Sequence, residues 1–184
     1  MNPQYTVKNR RRREGSTNYQ KRIRLLSSKR GIIIFRKLSR TIVAQITKFD
    51  PKGDAILASA NSKELEKFGW KLSKKSIPAA YLTGFLLAKK TGKKNMGDLI
   101  VNFGILSPTK GSAKYAFIMG AVDGGLKVIH SADAFPDDSR VKGKHIELYA
   151  GSSKDKIQFS KSQDAKNILK IFDETKNKIE SVKW

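Results

Sequence analysis

The residue types in this chain best placed to do chemistry are cations. Between Lys8 and Arg40, thirteen Lys/Arg side chains meet a single acidic residue, Glu14, for a local net charge of +12. Arg10, Arg11, Arg12 and Arg13 are consecutive, and Lys21, Arg22, Arg24, Arg36, Lys37 and Arg40 follow. Four adjacent guanidinium groups cannot pack on one another, because their repulsion and desolvation would go unopposed. They are solvated or they lie against something strongly negative. Guanidinium groups offer paired donors that match phosphate geometry, so the chemistry this spacing supports is binding of a polyanion, first of all a nucleic-acid backbone. A solvated basic tail or a localisation signal has the same composition.

Other candidates are sparser. Tyr19 inside the basic run can stack on a base; Trp70, beside Lys71, can do the same or pack into the fold. Lys71, Lys74 and Lys75 make a second basic segment. Thr109-Lys110-Gly111-Ser112 is a glycine loop entering a predicted helix, a generic place for a phosphate and equally an ordinary helix entry. Lys110-Gly111-Ser112 lacks the upstream glycine of a nucleotide-binding loop. His130 and His145 are the two histidines, and a lone His of this kind is more often a structural hydrogen-bonding residue than a ligand. Asp50, Asp54, Asp98 and Asp123 are the members a metal-dependent nuclease cluster would need, yet Asp50 and Asp54 sit in a turn that favours Asp for backbone reasons. No catalytic, cofactor or metal site is expected.

Composition narrows the class. The chain has 184 residues, a net charge of +22, 39% hydrophobic residues and no cysteine. Disulfides, thiolate metal sites and cysteine nucleophiles are therefore absent. A charge of this size opposes compaction and favours adsorption to polyanions, which suits a permanent anionic partner better than a small-molecule substrate. The charge is front-loaded: +12 by residue 40, +7 over residues 41–110, zero over 111–150 and +3 over 151–184. The neutral third segment is expected to face away from the polyanion or to meet protein. Without a secretory leader or an apolar run long enough to span a bilayer, the expected location is cytoplasmic, with no membrane partner.

These residues need a scaffold. Residues 1–15 lack apolar periodicity and are expected to be unstructured unless bound. A short helix capped by Ser16 or Thr17 is predicted through Leu26, with Tyr19, Ile23 and Leu26 as its docking stripe. Strands follow at Gly31 to Phe35, Thr41 to Phe49 and Ala55 to Ala60, the first pair joined at Lys37-Leu38-Ser39-Arg40 and the second at Asp50-Pro51-Lys52-Gly53. Asn61-Ser62-Lys63-Glu64 opens a short helix ended by Gly69. Pro78 starts a helix to about Lys90, whose Ala80, Gly84 and Ala88 give a smooth face for a sheet. Leu99 to Phe103 is a fourth strand, parallel to its neighbour after a helical crossover. A helix from Ser112 to Asp123, an edge strand at Leu126 to Ile129, an irregular stretch over 130–160 and an amphipathic helix from Gln163 to Val182 complete the chain. On that last helix Ile168, Ile171, Phe172, Ile179 and Val182 form the stripe. The fold class is α/β, a mixed sheet in β-β-β-α-β-α order with helices mainly on one face. Residues 1–28 form a basic arm, 29–130 a core and 131–184 an irregular segment with a C-terminal helix.

Arg10-Arg11-Arg12-Arg13-Glu14-Gly15-Ser16-Thr17-Asn18-Tyr19 resembles the N-terminal signature of the archaeal and eukaryotic ribosomal large-subunit proteins that carry 5S ribosomal RNA. That family is numbered eighteen in the bacterial scheme and five in the eukaryotic one. The resemblance continues through Ile42-Val43-Ala44-Gln45-Ile46, Asp50-Pro51-Lys52-Gly53-Asp54, Gly69-Trp70-Lys71, Pro78-Ala79-Ala80-Tyr81-Leu82-Thr83-Gly84, Pro108-Thr109-Lys110-Gly111-Ser112 and Gly120-Ala121-Val122-Asp123-Gly124-Gly125-Leu126. Its ordered motifs cover residues 5–150, and the length is similar to that of archaeal members. Lys144 and Lys74-Lys75-Ser76-Ile77 depart from the family pattern, each adding positive charge.

The resemblance implies a non-enzymatic protein that binds 5S rRNA and attaches it to the large-subunit rRNA in the central protuberance, beside neighbouring ribosomal proteins. Lys8, Arg10 to Arg13, Tyr19, Lys21, Arg22 and Arg24 would lie in the RNA-contacting arm. Arg36, Ser39 and Arg40 would meet the 5S backbone; by charge and position, and not by the resemblance, Lys37, Lys71, Lys74, Lys75, Thr109 and Lys110 are further candidate RNA contacts. The rival readings are a general RNA-binding or RNA-packaging protein and a metal-dependent RNA-processing enzyme.

Overall fold

The computed structural model describes residues 6–92, 96–105, 107, 109–152 and 163–182. A four-stranded mixed sheet in the order β3-β2-β1-β4 lies at its centre. β1 (Gly31–Lys37), β2 (Ile42–Lys48) and β3 (Ala55–Asn61) form the antiparallel meander. β4 (Leu99–Asn102) pairs parallel with β1, as the crossover required. Alternation fixes the two faces. Ile33 and Phe35 pair with Ile46 and Ala44 on one face and are fully buried. Ile34 and Arg36 pair with Gln45 and Val43 on the other. The turn between β2 and β3 closes with Gly53 N–H on Asp50 O, and the Asp50 carboxylate accepts from Lys52 N–H.

The first face carries α3 (Ile77–Thr91) and α4 (Ala113–Asp123). Ser76 caps α3 and Pro78 occupies its first turn, where no amide is needed. Phe35 fills the space below, 5.0 Å from Phe117 and 6.0 Å from Phe103 between ring centroids. The small-residue face of α3 meets helix α4 rather than the sheet. A Cβ on Gly84 would fall 2.1 Å from Phe117 O, and one on Gly120 2.1 Å from Tyr81 O. Glycine on both partners lets the two backbones touch, an approach no sheet side chain would permit.

A 3-10 segment (Ser62–Phe68) precedes α3 behind a complete capping box of Asn61 and Glu64, and Gly69 ends it in the left-handed conformation. After α4, the Leu126 to Ile129 segment makes a single bridge, Val128 to Leu99, rather than a strand. The stretch after residue 130 is more regular than its composition suggests: a 3-10 turn (Ala132–Ala134), α5 (Asp138–Lys142) and α6 (Lys144–Ser152). Its apolar residues are too few for periodicity to show, while Gly143, at φ +90°, separates the two short helices. Residues 153–162 fall outside the described part. The final helix begins as a 3-10 turn (Gln163–Asn167) and continues as α7 (Ile168–Ser181). Ile168, Phe172 and Ile179 enter the same core as α3, with Phe172 5.5 Å from Tyr81. Val182 lies past the helix end and is exposed. Among the described residues no helix is long and apolar enough to cross a membrane.

Candidate nucleic-acid interface

The basic arm is more structured than expected. Arg10–Arg13 form one helical turn, α1, and the Arg11 Nε–H donates to Thr17 Oγ1 at 2.9 Å. Helix α2 (Tyr19–Ser27) is capped by Asn18, whose side chain accepts from Lys21 N–H, and not by Ser16 or Thr17. The rotation of α2 also differs. Ile23 points outward at 66% exposure, while Lys21, Arg22, Leu25 and Leu26 turn toward the sheet. Polar contacts set that rotation. Arg22 Nη2 lies 2.8 Å from both carboxylate oxygens of Asp54, and Lys21 Nζ donates to Gly104 O at 3.2 Å. Arg22 is therefore a fastening of the arm to the β2–β3 turn.

Arg36 leaves the hairpin tip and turns along the sheet. Its Nη1 donates to Phe35 O at 3.0 Å and to Asn102 O at 3.1 Å, bracing β1 against β4. Partial desolvation lowers its pKa from the ordinary arginine value, and the Arg11 charge adds to the effect. Lys114, at the start of α4, donates to Ser107 O and sits 5.9 Å from the centroid of Phe103. Desolvation lowers its pKa too, followed by the charges of Lys37 and Lys21. Arg11, Lys21, Arg36, Lys37 and Lys114 thus form a cationic group in which like charges sense one another. None of the five has a carboxylate partner among the described residues; the ion pairs there are Arg10–Glu14, Arg22–Asp54, Lys74–Glu66, Lys89–Glu180 and Lys90–Glu64. Such a group is stable beside an anion and strained without one.

Asn102 and Gly104 join this group through the parallel β1–β4 pairing and Lys114 through the placement of α4, and nothing local in the sequence marks them. The hairpin tip Lys37, Ser39 and Arg40 is exposed, as are Lys8, Arg10, Arg12, Arg13 and Arg24 along the arm. Tyr19 is half-buried. Lys71, Lys75, Thr109 and Lys110 are exposed, and Lys74 is engaged by Glu66. Pro108 lies outside the described residues.

Trp70 is fully buried and its indole N–H donates to Ser73 O, so it packs and does not stack on a base. His130 Nδ1 is 2.7 Å from Val128 O and its ring stacks 4.8 Å from Phe135, a structural placement. The His145 pKa is lowered by desolvation and by Arg140. The aspartates have separate duties: Asp50 closes a turn, Asp54 holds Arg22, and Asp123 accepts from Tyr81 Oη at 2.6 Å. Among the described residues no three His, Asp or Glu side chains gather as a metal site.

The family model for "ribosomal large subunit proteins 60S L5, and 50S L18" matches residues 3–99. A large ribosomal subunit protein uL18 from Thermofilum pendens is 43% identical over 96% of this chain and 95% of its own length. Proteins of the same name from Korarchaeum cryptofilum and Natronomonas pharaonis are 44% and 39% identical, over 79% and 97% of this chain and 75% and 96% of their own lengths. The arm, the meander and α3 fall within the family match, and the similarity to the relatives from Thermofilum pendens and Natronomonas pharaonis runs on into α7. The chain therefore belongs to the family of large-subunit ribosomal proteins typified by 60S L5 and 50S L18, a structural component of the ribosome and not an enzyme.

Proposed function

We propose that this ribosomal protein binds 5S rRNA and attaches it to the large-subunit rRNA in the central protuberance. The observation that carries the reading is the cationic group of Arg11, Lys21, Arg36, Lys37 and Lys114, assembled by the arm, the first hairpin and the start of α4 without a carboxylate to neutralise it. Lys8, Arg10, Arg12, Arg13 and Arg24 extend it along the arm, and Ser39 and Arg40 extend it to the hairpin tip. Lys71, Lys74, Lys75, Thr109 and Lys110 are peripheral contacts, and Tyr19 in the arm is placed to stack. Residues 1–28 act as the RNA-binding arm and 29–130 as the rigid body that carries it. Apart from Lys114, the neutral stretch over 111–150 faces neighbouring ribosomal proteins.

Recognition is electrostatic and shape-based. Neutralising about six to ten phosphates makes affinity fall roughly 10³- to 10⁵-fold between about 50 and 200 mM salt, on the scaling measured for duplex DNA. Titrating 5S rRNA with the protein across that range checks the mechanism, and a flat response contradicts it.

A further inference from the structure

We infer that one backbone phosphate of the bound RNA seats between the arm and the sheet, in a cavity lined by Arg11, Lys21, Arg22, Arg36, Asn102 and Gly104, and fastens the two together. The inference rests on the RNA-binding reading above and assigns to it a particular contact, distinct from the exposed arginines that follow the backbone. The cavity measures about 100 Å³, well beyond the roughly 15 Å³ that a single water requires.

Counting donors shows what the cavity lacks. Arg36 spends Nη1 on Phe35 O and Asn102 O, and its other N–H groups have no acceptor among the described residues. Arg11 spends only Nε, on Thr17. Lys21 has three protons and uses one on Gly104 O. Arg22 is already neutralised by Asp54 and serves to hold the wall in place. Three uncompensated charges therefore line one small space, each oriented by a protein hydrogen bond that leaves further donors free. Elsewhere on the molecule partly buried lysines do find carboxylates, Lys74 at Glu66 and Lys90 at Glu64.

The shape is built for this as well. Gly104 has φ +72°, a conformation that favours glycine, and a Cβ there would crowd the Arg36 guanidinium at 3.1 Å from Nη1. A tetrahedral oxyanion supplies several acceptors at once, as these donors require. Arg11 belongs to the arm and Arg36 to the sheet, so an anion shared between them makes order in the arm depend on occupancy.

The test uses the full chain and inorganic phosphate as probe, with chloride at equal ionic strength as control. Tryptic cleavage within residues 10–30 is followed, and 5S rRNA affinity is measured on the same proteins. Phosphate should slow cleavage of the parent chain several-fold more than chloride does. Arg11→Gln and Arg36→Gln should lose that difference, while Arg12→Gln and Arg40→Gln, equal charge losses outside the cavity, should retain it. Arg36→Lys, which keeps the charge and the stem, guards against a folding defect and should retain part of it. For 5S rRNA the two cavity variants should lose about tenfold or more, in line with a charge-assisted contact, and the two outer variants less. Equal protection by phosphate and chloride overturns the inference, as does an equal 5S loss in all four glutamine variants. Should phosphate protection fail while 5S rRNA still outcompetes other RNA, the cavity assignment falls and the proposed function stands. Should protection hold while 5S rRNA has no advantage, the proposed function falls.

Discussion

Arg22 was legible as part of a basic run but not as the residue that pins it. Its guanidinium meets Asp54 with two contacts of 2.8 Å, and Asp54 belongs to a turn whose sequence announces only a turn. Asp54→Asn keeps the shape and removes the charge. The change should cost about 1 kcal/mol at this partly exposed pair and speed amide exchange in Tyr19–Ser27 with the core unaffected. Exchange unchanged in that helix would mean that Leu25 and Leu26 hold it alone. Tyr81 offers a second case. Burial first, then the hydrogen bond to Asp123 and the charges of Asp123 and Asp138, raise its pKa well above the ordinary tyrosine value. The neutral phenol is favoured in the folded chain, so its contribution is full below the unfolded pKa of about 10 and is lost as pH rises toward the folded one. Thermal melts of the parent and Tyr81→Phe should therefore draw together only as pH rises above about 10, the parent losing more. Parallel curves would contradict the linkage. The sequence could not reveal this, because Asp123, which accepts from the phenol, is 42 positions away.

Among the elements, those with local signals were readable. The meander, its Asp50-Pro51-Lys52-Gly53 turn, the capping box at Asn61 and the parallel return of β4 all follow from residue pattern and turn chemistry. Elements whose form depends on distant partners were not. α1 needs Thr17 for Arg11, the rotation of α2 needs Asp54 and Gly104, and α5 and α6 have too few apolar residues to show a period. The small-residue face of α3 was visible, but its partner was not: glycine spacing reports closeness without naming what comes close. Gly84→Ala and Gly120→Ala each drive a methyl into a main-chain carbonyl that cannot yield. Each should lower stability by about 3 kcal/mol or more in urea unfolding. Gly151→Ala, with open space around it, should be neutral or slightly stabilising. Similar losses at all three sites would contradict the close helix contact.

Across the whole molecule, charge and topology act together. The sequence concentrates +12 before residue 41, and the fold adds Lys114 by bringing α4 to the same end of the sheet. The core that carries this load is apolar and shared from β1 to α7, so the closing helix belongs to the body that presents the arm. A sheet end loaded with unneutralised cations suits a permanent anionic partner, as a ribosomal protein has. The particular partner is tested most directly by competition. With labelled 5S rRNA bound to the full chain at near-physiological salt, unlabelled 5S rRNA should displace it stoichiometrically, and an unrelated RNA of equal length only in large excess. Equal displacement by the two would contradict the account, leaving a basic protein that holds RNA without choosing it.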